Sequence, residues 1–348
     1  MTEKPTLDSL PFELVRQICS YLNYPSLCNL VLVSQVMSAA REDPTLWRAF
    51  VLKPRNNILV ETILNTKRFS QLQSLCITVL NRANLSVIRQ KPNIRCLEID
   101  KVDDGLDKDD FAEGMLGLEA VALTGGDDNE SRRTSCRVEQ MATLLIKMSN
   151  ERSRNKIKRL TLTEYNLSSL DPNIFGNCFS QLDSLSLDYC HPTPAQMSEL
   201  FTRCTTKTNL KKLQLNYVEL EAVDPDIFSQ GIRNIHQVTF CSRWPSDNQI
   251  EKMFESLSEK TNLKELDLNG KDLSCVDPDI LAHGVNKLER LDISFTQLTK
   301  HQLERIFQQA VLKTSLRYLD ITGNINRFGL DIKQEVQDVL KKTVAVKW

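Results

Sequence analysis

The sequence predicts an α/β chain: a short all-helical N-terminal domain, then a right-handed solenoid with a parallel sheet on its inner wall and helices outside. Three observations predict it. The pattern Leu-x-x-Leu-x-Leu, with Ile, Val and Phe variants, starts ten times, at Leu72, Ile94, Leu118, Ile157, Leu182, Leu210, Ile235, Leu263, Leu288 and Leu316. From Ile157 the starts fall 25, 28, 25, 28, 25 and 28 residues apart, so two repeat types alternate in a unit of 53. Residues 7 to 50 follow neither spacing and carry close-set apolar positions at helical intervals. Repeats of this length bury an apolar face only by stacking on the next copy, which builds a solenoid.

The N-terminal domain is placed at residues 1–50. Leu10-Pro11-Phe12-Glu13-Leu14 sets Pro in a first helical turn, and Leu14, Ile18, Tyr21 and Leu22 then form one stripe. Pro25-Ser26-Leu27 opens a second helix carrying Leu27, Leu30, Val31 and Val33, and Asp43-Pro44-Thr45-Leu46-Trp47 starts a third. So small and apolar a segment leaves a patch it cannot bury, and such patches mark partner sites. Residues 51–71 connect it to the repeats, with Ile58, Leu59, Ile63 and Leu64 spaced for a packed helix.

The repeats occupy residues 72–329. In Leu263-Lys-Glu-Leu266-Asp-Leu268 the fourth and sixth residues share one side of a strand and the fifth faces the other way. The 25-residue type carries Asp171-Pro172, Asp224-Pro225 or Asp277-Pro278 after its strand, an N-cap followed by Pro at the first helical position. The 28-residue type carries capping boxes, Thr193-x-x-Gln196, Ser246-x-x-Gln249 and Thr299-x-x-Gln302. Behind these, Met197, Leu200 and Phe201, then Ile250, Met253 and Phe254, then Leu303, Ile306 and Phe307 give each helix one apolar face.

The Leu118 repeat is 39 residues long. Aligning Val138 with Met197 puts about five extra residues in the loop 124–134 and about six near Asn150 to Lys156. The acidic run Asp103-Asp104, Asp107, Asp109-Asp110 reads as a solvated loop. Residues 330–348, with Ile332, Val336, Val339 and Leu340 at helical spacing, form a cap for the open end.

Composition excludes several function classes. Lys plus Arg number 44 against 45 Asp plus Glu, which offers no bulk basic charge for nucleic acid. No apolar run reaches membrane-span length, and the start lacks a secretory pattern, so cytoplasm or nucleus is the expected compartment. The ten cysteines include no C-x-x-C pair, so neither a zinc site nor a disulfide framework is expected. His191, His236, His283 and His301 stand in no metal or nucleophile spacing, and Cys190-His191 is mere adjacency. No catalytic residue, metal or cofactor is expected.

On each predicted strand, residues three, five and seven from the first leucine face the inner wall, and the eighth sits at its rim. The fifth positions run Thr161, Ser186, Gln214, Thr239, Asp267, Asp292 and Asp320, so acidity rises toward the C-terminal end. Glu265 joins the acids, with Arg290 the only cation among its neighbours, while Tyr189, Tyr217 and Phe295 take eighth positions and Trp244 follows in a loop. Rigidly held aromatics are common interface anchors. The wall from Tyr189 to Asp320 is therefore expected to bind a basic or mixed segment of a partner protein.

Two resemblances follow from these residues. The repeats resemble the ribonuclease-inhibitor-like class of leucine-rich repeats. The set Leu10-Pro11-x-Glu13-Leu14, Ile18, Tyr21-Leu22, Leu27, Leu30, Val33-Ser34 and Asp43-Pro44-x-Leu46-Trp47 resembles the F-box, with Val36-Met37 where that family often has a tryptophan. The resemblance implies docking on a Skp-type adaptor and, through it, on a cullin–RING ubiquitin ligase, with the repeats choosing the substrate. It carries adaptor contacts onto Leu10, Pro11, Leu14, Ile18, Leu22, Leu27, Leu30 and Val33, with Pro44, Leu46 and Trp47 closing the patch. The alternatives are a leucine-rich-repeat scaffold, inhibitor or ligand receptor unrelated to degradation and, more distantly, an enzyme with a site on the wall.

Overall fold

A computed structural model describes residues 10–22, 26, 29, 43–52, 64–125, 131–151, 154–206, 208–241, 245–257, 261–285, 287–312, 315–324 and 344–347. Contacts divide the chain into two compact units, residues 1–147 with 151–157, and residues 148–150 with 158–348.

The first unit opens with α1 (Phe12–Ser20), a 3-10 turn at Pro44–Trp47 and strand β1 (Ala49–Leu52). Then come β2 (Ser74–Leu80), α2 (Arg82–Arg89), β3 (Cys96–Val102), α3 (Lys108–Met115), β4 (Ala120–Thr124) and α4 (Ser131–Asn150), which ends at the division. β1 to β4 pair in order and in parallel, with Val51 beside Cys76 and Leu97 beside both Leu75 and Val121. β1 lies across the expected domain limit at residue 50. Of the expected connector helix only Leu64 is described, and it is buried; Ile58, Leu59 and Ile63 lie outside the described residues.

The second unit alternates β5 (Arg159–Thr163), α5 (Pro172–Phe179), β6 (Ser184–Asp188), α6 (Pro194–Thr206), β7 (Lys212–Asn216) and α7 (Pro225–Ile232). It continues with β8 (Gln237–Cys241), α8 (Asp247–Leu257), β9 (Glu265–Asp267), α9 (Pro278–Val285), β10 (Arg290–Asp292), α10 (Lys300–Leu312), β11 (Tyr318–Asp320) and β12 (Ala345–Lys347). Each strand pairs with the next in parallel, and all ten expected strands, β2 to β11, are present. β12 was not expected; the predicted terminal helix lies outside the described residues.

Capping chemistry explains where the helices start. Asp171, Asp224 and Asp277 each accept N–H bonds two and three residues on, at 2.8–3.2 Å. In each capping box the Gln Oε1 accepts the cap N–H, at 2.7 Å for Thr193 and 2.8 Å for Ser246 and Thr299. The same glutamines do a second job that local sequence does not reveal. Each is buried, and its Nε2 donates to two carbonyls of the preceding repeat: Leu167 and Leu170 for Gln196, Leu220 and Val223 for Gln249, Leu273 and Val276 for Gln302. Those carbonyls end a loop inside the stack, where an unpaired oxygen would cost about 1–3 kcal/mol.

A fourth such glutamine corrects the reading of the long repeat. Gln140 donates to the Leu106 carbonyl at 2.8 Å and to that of Asp103 at 3.3 Å, so Met141, not Val138, corresponds to Met197. Met141, Leu144, Leu145 and Met148 are the buried face of α4. Three of the extra residues thereby move from behind the helix to in front of it, and the expected loop loses Ser131–Thr134 to α4. The acidic run is also not a loop throughout: Asp107 caps α3 by accepting from Asp109 and Asp110, which lie in its first turn where negative charge suits the helix dipole.

Candidate functional site

The first candidate surface lies on α1. Val15 and Cys19, one turn apart, are buried, while Leu14, Ile18 and Tyr21 on the adjoining stripe are 46%, 39% and 80% exposed. Phe12 is 43% exposed at the helix start. Covering the remaining open area of Leu14 and Ile18 would gain about 1 kcal/mol each. Leu10 and Leu22 are half-buried and Pro11 is exposed, whereas Leu27, Leu30 and Val33 lie outside the described residues.

The turn at Pro44–Trp47 is tied to α1 by charge. Asp43 accepts from the Thr45 N–H at 2.9 Å and from its hydroxyl at 2.8 Å, and its other oxygen meets Arg16 at 3.0 Å. Pro44 and Leu46 are half-buried beside it. Trp47 departs from the expected contact role: it is 4% exposed and packs edge-on against Phe69, ring centroids 5.7 Å apart. A bulky indole followed at once by a strand of the sheet is better covered by the chain itself, so Trp47 supports the surface from behind. Phe12 and Tyr21 are the exposed groups that residue-by-residue transfer from the F-box pattern passed over; helical spacing from Leu14 and Ile18 already pointed to Tyr21.

The second candidate surface is the open face of the sheet in the second unit. Buried apolar residues alternate with more open ones along β5 to β10, and register aligns the fifth positions as one row, Thr161, Ser186, Gln214, Thr239, Asp267, Asp292 and Asp320, extended by Lys347. The aspartates of that row have a local role. Each accepts the N–H two residues on, from Asn269, Ser294 and Thr322, all at 3.0 Å. A carboxylate in such a turn competes with the ladder, and β9, β10 and β11 are three residues long where β5 to β8 have five.

Charge in the row is therefore uneven. Burial pushes the Asp267 carboxyl up, helped by Asp292, although its backbone bond to Asn269 and Arg290 oppose this. Asp320 is 2% exposed; burial disfavours its charge, but bonds from Lys347 and Thr322 outweigh that and hold the carboxyl below the usual range. Lys347 Nζ meets it at 2.8 Å, and the Tyr318 hydroxyl donates to it at 3.3 Å. Asp320 is thus closed to a partner's cation, a correction to its assignment as a contact, and Arg290 is not the only cation nearby. Arg290 instead lies over the Tyr318 ring at 4.0 Å, leaving Glu265, Asp267 and Asp292 as the acids still half open.

The eighth positions share a conformation. Glu164, Tyr189, Tyr217, Gly270, Phe295 and Gly323 have φ of 60°, 49°, 54°, 79°, 57° and 80°, the left-handed region. Each of the first five also donates its N–H to the following repeat. Tyr189 and Tyr217 stack with centroids 4.0 Å apart and planes 17° apart. Phe295, 58% exposed, overlies Gly323, where a Cβ would meet its ring and the left-handed φ of 80° would strain any side chain. Trp244 lies outside the described residues.

Cys190 beside His191 offers no nucleophile: the thiol is fully buried, and burial pushes it up to about 11. No helix among the described residues is long and apolar enough to cross a membrane.

Comparison with known proteins now bears on both surfaces. Residues 7–53 match the F-box-like family model. No curated protein matches the chain. Among solved structures, a chain from the crystal structure of the Rad7 and Elc1 complex in yeast is similar at 14% identity and a TM-score of 0.51, over 96% of this chain and 90% of that one. At that identity the likeness is one of fold. It agrees with parallel strands alternating with helices, as in leucine-rich repeats, while the F-box-like N-terminus rests on the family match.

Proposed function

We propose that this chain, with its F-box-like domain ahead of leucine-rich repeats, is a substrate-recognition subunit of a Skp–cullin–F-box type ubiquitin ligase. The observation that carries the reading is the uncovered face of α1, where Leu14, Ile18 and Tyr21 stand in solvent inside the region matching the F-box-like family. In this reading that face docks on a Skp-type adaptor. The open face of the sheet from Tyr189 toward Asp292 holds the substrate protein. The chain itself performs no bond chemistry: recruited enzymes transfer ubiquitin, and this subunit contributes proximity and orientation.

The test is capture of purified Skp-type adaptor by the full chain and by the Leu14→Asp/Ile18→Asp variant. Two carboxylates in an apolar interface should reduce affinity at least about tenfold while the melting temperature holds. A folded wild-type chain that retains no adaptor overturns the reading. Point variants are cleaner than deleting residues 1–50, because that deletion removes Trp47 and half of β1, and so bares the edge of β2.

A further inference from the structure

Across β5, β6 and β7 the open face is polarised along the strands, not only along the repeats. The edge where these strands begin carries exposed Lys158, Arg159, Lys211 and Lys212, against Asp183 alone. The Lys211–Asp183 pair, at 3.9 Å and with both side chains substantially exposed, neutralises little. The middle row is Thr161, Ser186 and Gln214, without charge. The edge where the strands end carries Glu164 and Asp188 around the stacked Tyr189 and Tyr217, and no Lys or Arg. The two edges stand six residues apart on each strand, about 20 Å.

The tyrosine pair is placed at a cost. A left-handed backbone disfavours a bulky side chain by roughly 1–2 kcal/mol, and the same position holds glycine at Gly270 and Gly323, so the fold itself does not require a side chain there. Two strained tyrosines nonetheless hold their rings parallel, with Tyr189 44% exposed between carboxylates. The left-handed backbone itself belongs to the repeat, since Glu164 and Phe295 share it; what is particular here is a pair of adjacent, partly open rings at positions where glycine would be less strained. Stacked, open rings beside carboxylates suit a guanidinium or ammonium group, which gains attraction to the ring face and ion pairing together. The phenol of Tyr189 stays neutral in this setting, pushed up to about 12 by its bond with Tyr217, then by burial and nearby charge including Asp188 and Glu164.

We infer that this face takes a charge-polarised protein segment lying along β5–β7, an arginine or lysine on the Tyr189–Tyr217 platform between Glu164 and Asp188, and acidic residues over Lys158, Arg159, Lys211 and Lys212. This rests on the reading of the sheet face as the substrate surface, and it fixes both the kind of segment and its orientation.

The probe is a synthetic helical peptide with an acidic block and an arginine block about 20 Å apart, roughly 13 residues of helix. A composition-matched peptide with alternating charges is the control. Fluorescence anisotropy at physiological salt should show at least tenfold tighter binding of the block peptide. Tyr189→Gly/Tyr217→Gly, which relieves the left-handed strain and so keeps the fold, should lose about tenfold. Tyr189→Phe/Tyr217→Phe should bind as the wild type does. Lys211→Glu/Lys212→Glu should lose the block peptide and gain one with arginine at both ends. Equal binding of the block and alternating peptides, or undiminished binding by the glycine variant, overturns the inference. Adaptor capture, run on the same variants, should be unchanged by all of them; its failure in the wild type would overturn the ligase reading and leave the peptide result standing.

Discussion

Helix α1 and helix α8 carry the same kind of amphipathic pattern and meet opposite fates. On α8, Ile250, Met253, Phe254 and Leu257 are fully buried between neighbouring repeats. On α1 the corresponding stripe, Leu14, Ile18 and Tyr21, faces water, although Val15 and Cys19 behind it are covered. A solenoid supplies each helix with a neighbour on both sides, so an apolar stripe there reports packing. On α1 the stripe stays open to solvent even though the opposite side of the helix is covered, so there it marks a surface for a partner.

The largest effect that could break this comparison is on stability. Phe254→Ala should cost about 3–5 kcal/mol of the second unit's stability by leaving a cavity in a filled stack. Leu14→Ala should cost about 1 kcal/mol, since half of the side chain is already open to solvent. Thermal or urea unfolding measures both. Similar losses at the two sites would mean that α1's stripe is internal core after all.

Next comes Gln249→Leu, which keeps the volume but removes three hydrogen bonds. The Ser246 N–H and the Leu220 and Val223 carbonyls would each lose a partner, for a total of about 3 kcal/mol. Hydrogen exchange should show opening at the junction of the two repeats before the rest of the sheet. A change confined to the start of α8 would mean that the glutamine acts only as a cap.

How much of this was legible follows the range of the forces. Helix starts were legible because a cap and its acceptor lie within three residues, and strand faces because alternation is local. The outward bridge made by each capping glutamine was not, since its partners lie 26 and 29 residues back. In the longest repeat the insertion hid the register until Gln140 was seen bonded to the Leu106 carbonyl. At the N-terminus the stripe of α1 was legible, but spacing cannot separate Trp47, which packs on Phe69, from residues that face out. On the sheet, the row of aspartates was legible as acidity. Its turn-forming role and the neutralisation of Asp320 were not, because the cation comes from Lys347 on a strand that carries no repeat signature.

The smallest effect distinguishes two aspartates of that row. Asp320 has its folded carboxyl held below the usual range, so it contributes stability above its unfolded titration, near pH 4, and loses it as pH falls through the folded value. Asp267 is shifted upward, so its contribution is fully present below about pH 4 and disappears as pH rises through its higher folded value. Asp320→Asn should therefore destabilise the attachment of β12 at neutral pH, and Asp267→Asn should not destabilise the sheet there through charge. Lys347 is 64% exposed, so the first effect should stay under about 1 kcal/mol. Urea melts of both variants at pH 7 and near pH 3 measure the pair. The penalty of Asp320→Asn should shrink in acid, whereas any gain from Asp267→Asn should appear only at pH 7. If the two substitutions instead track each other with pH, Lys347 does not set Asp320 apart, and Asp320 returns to the acidic surface open to a partner.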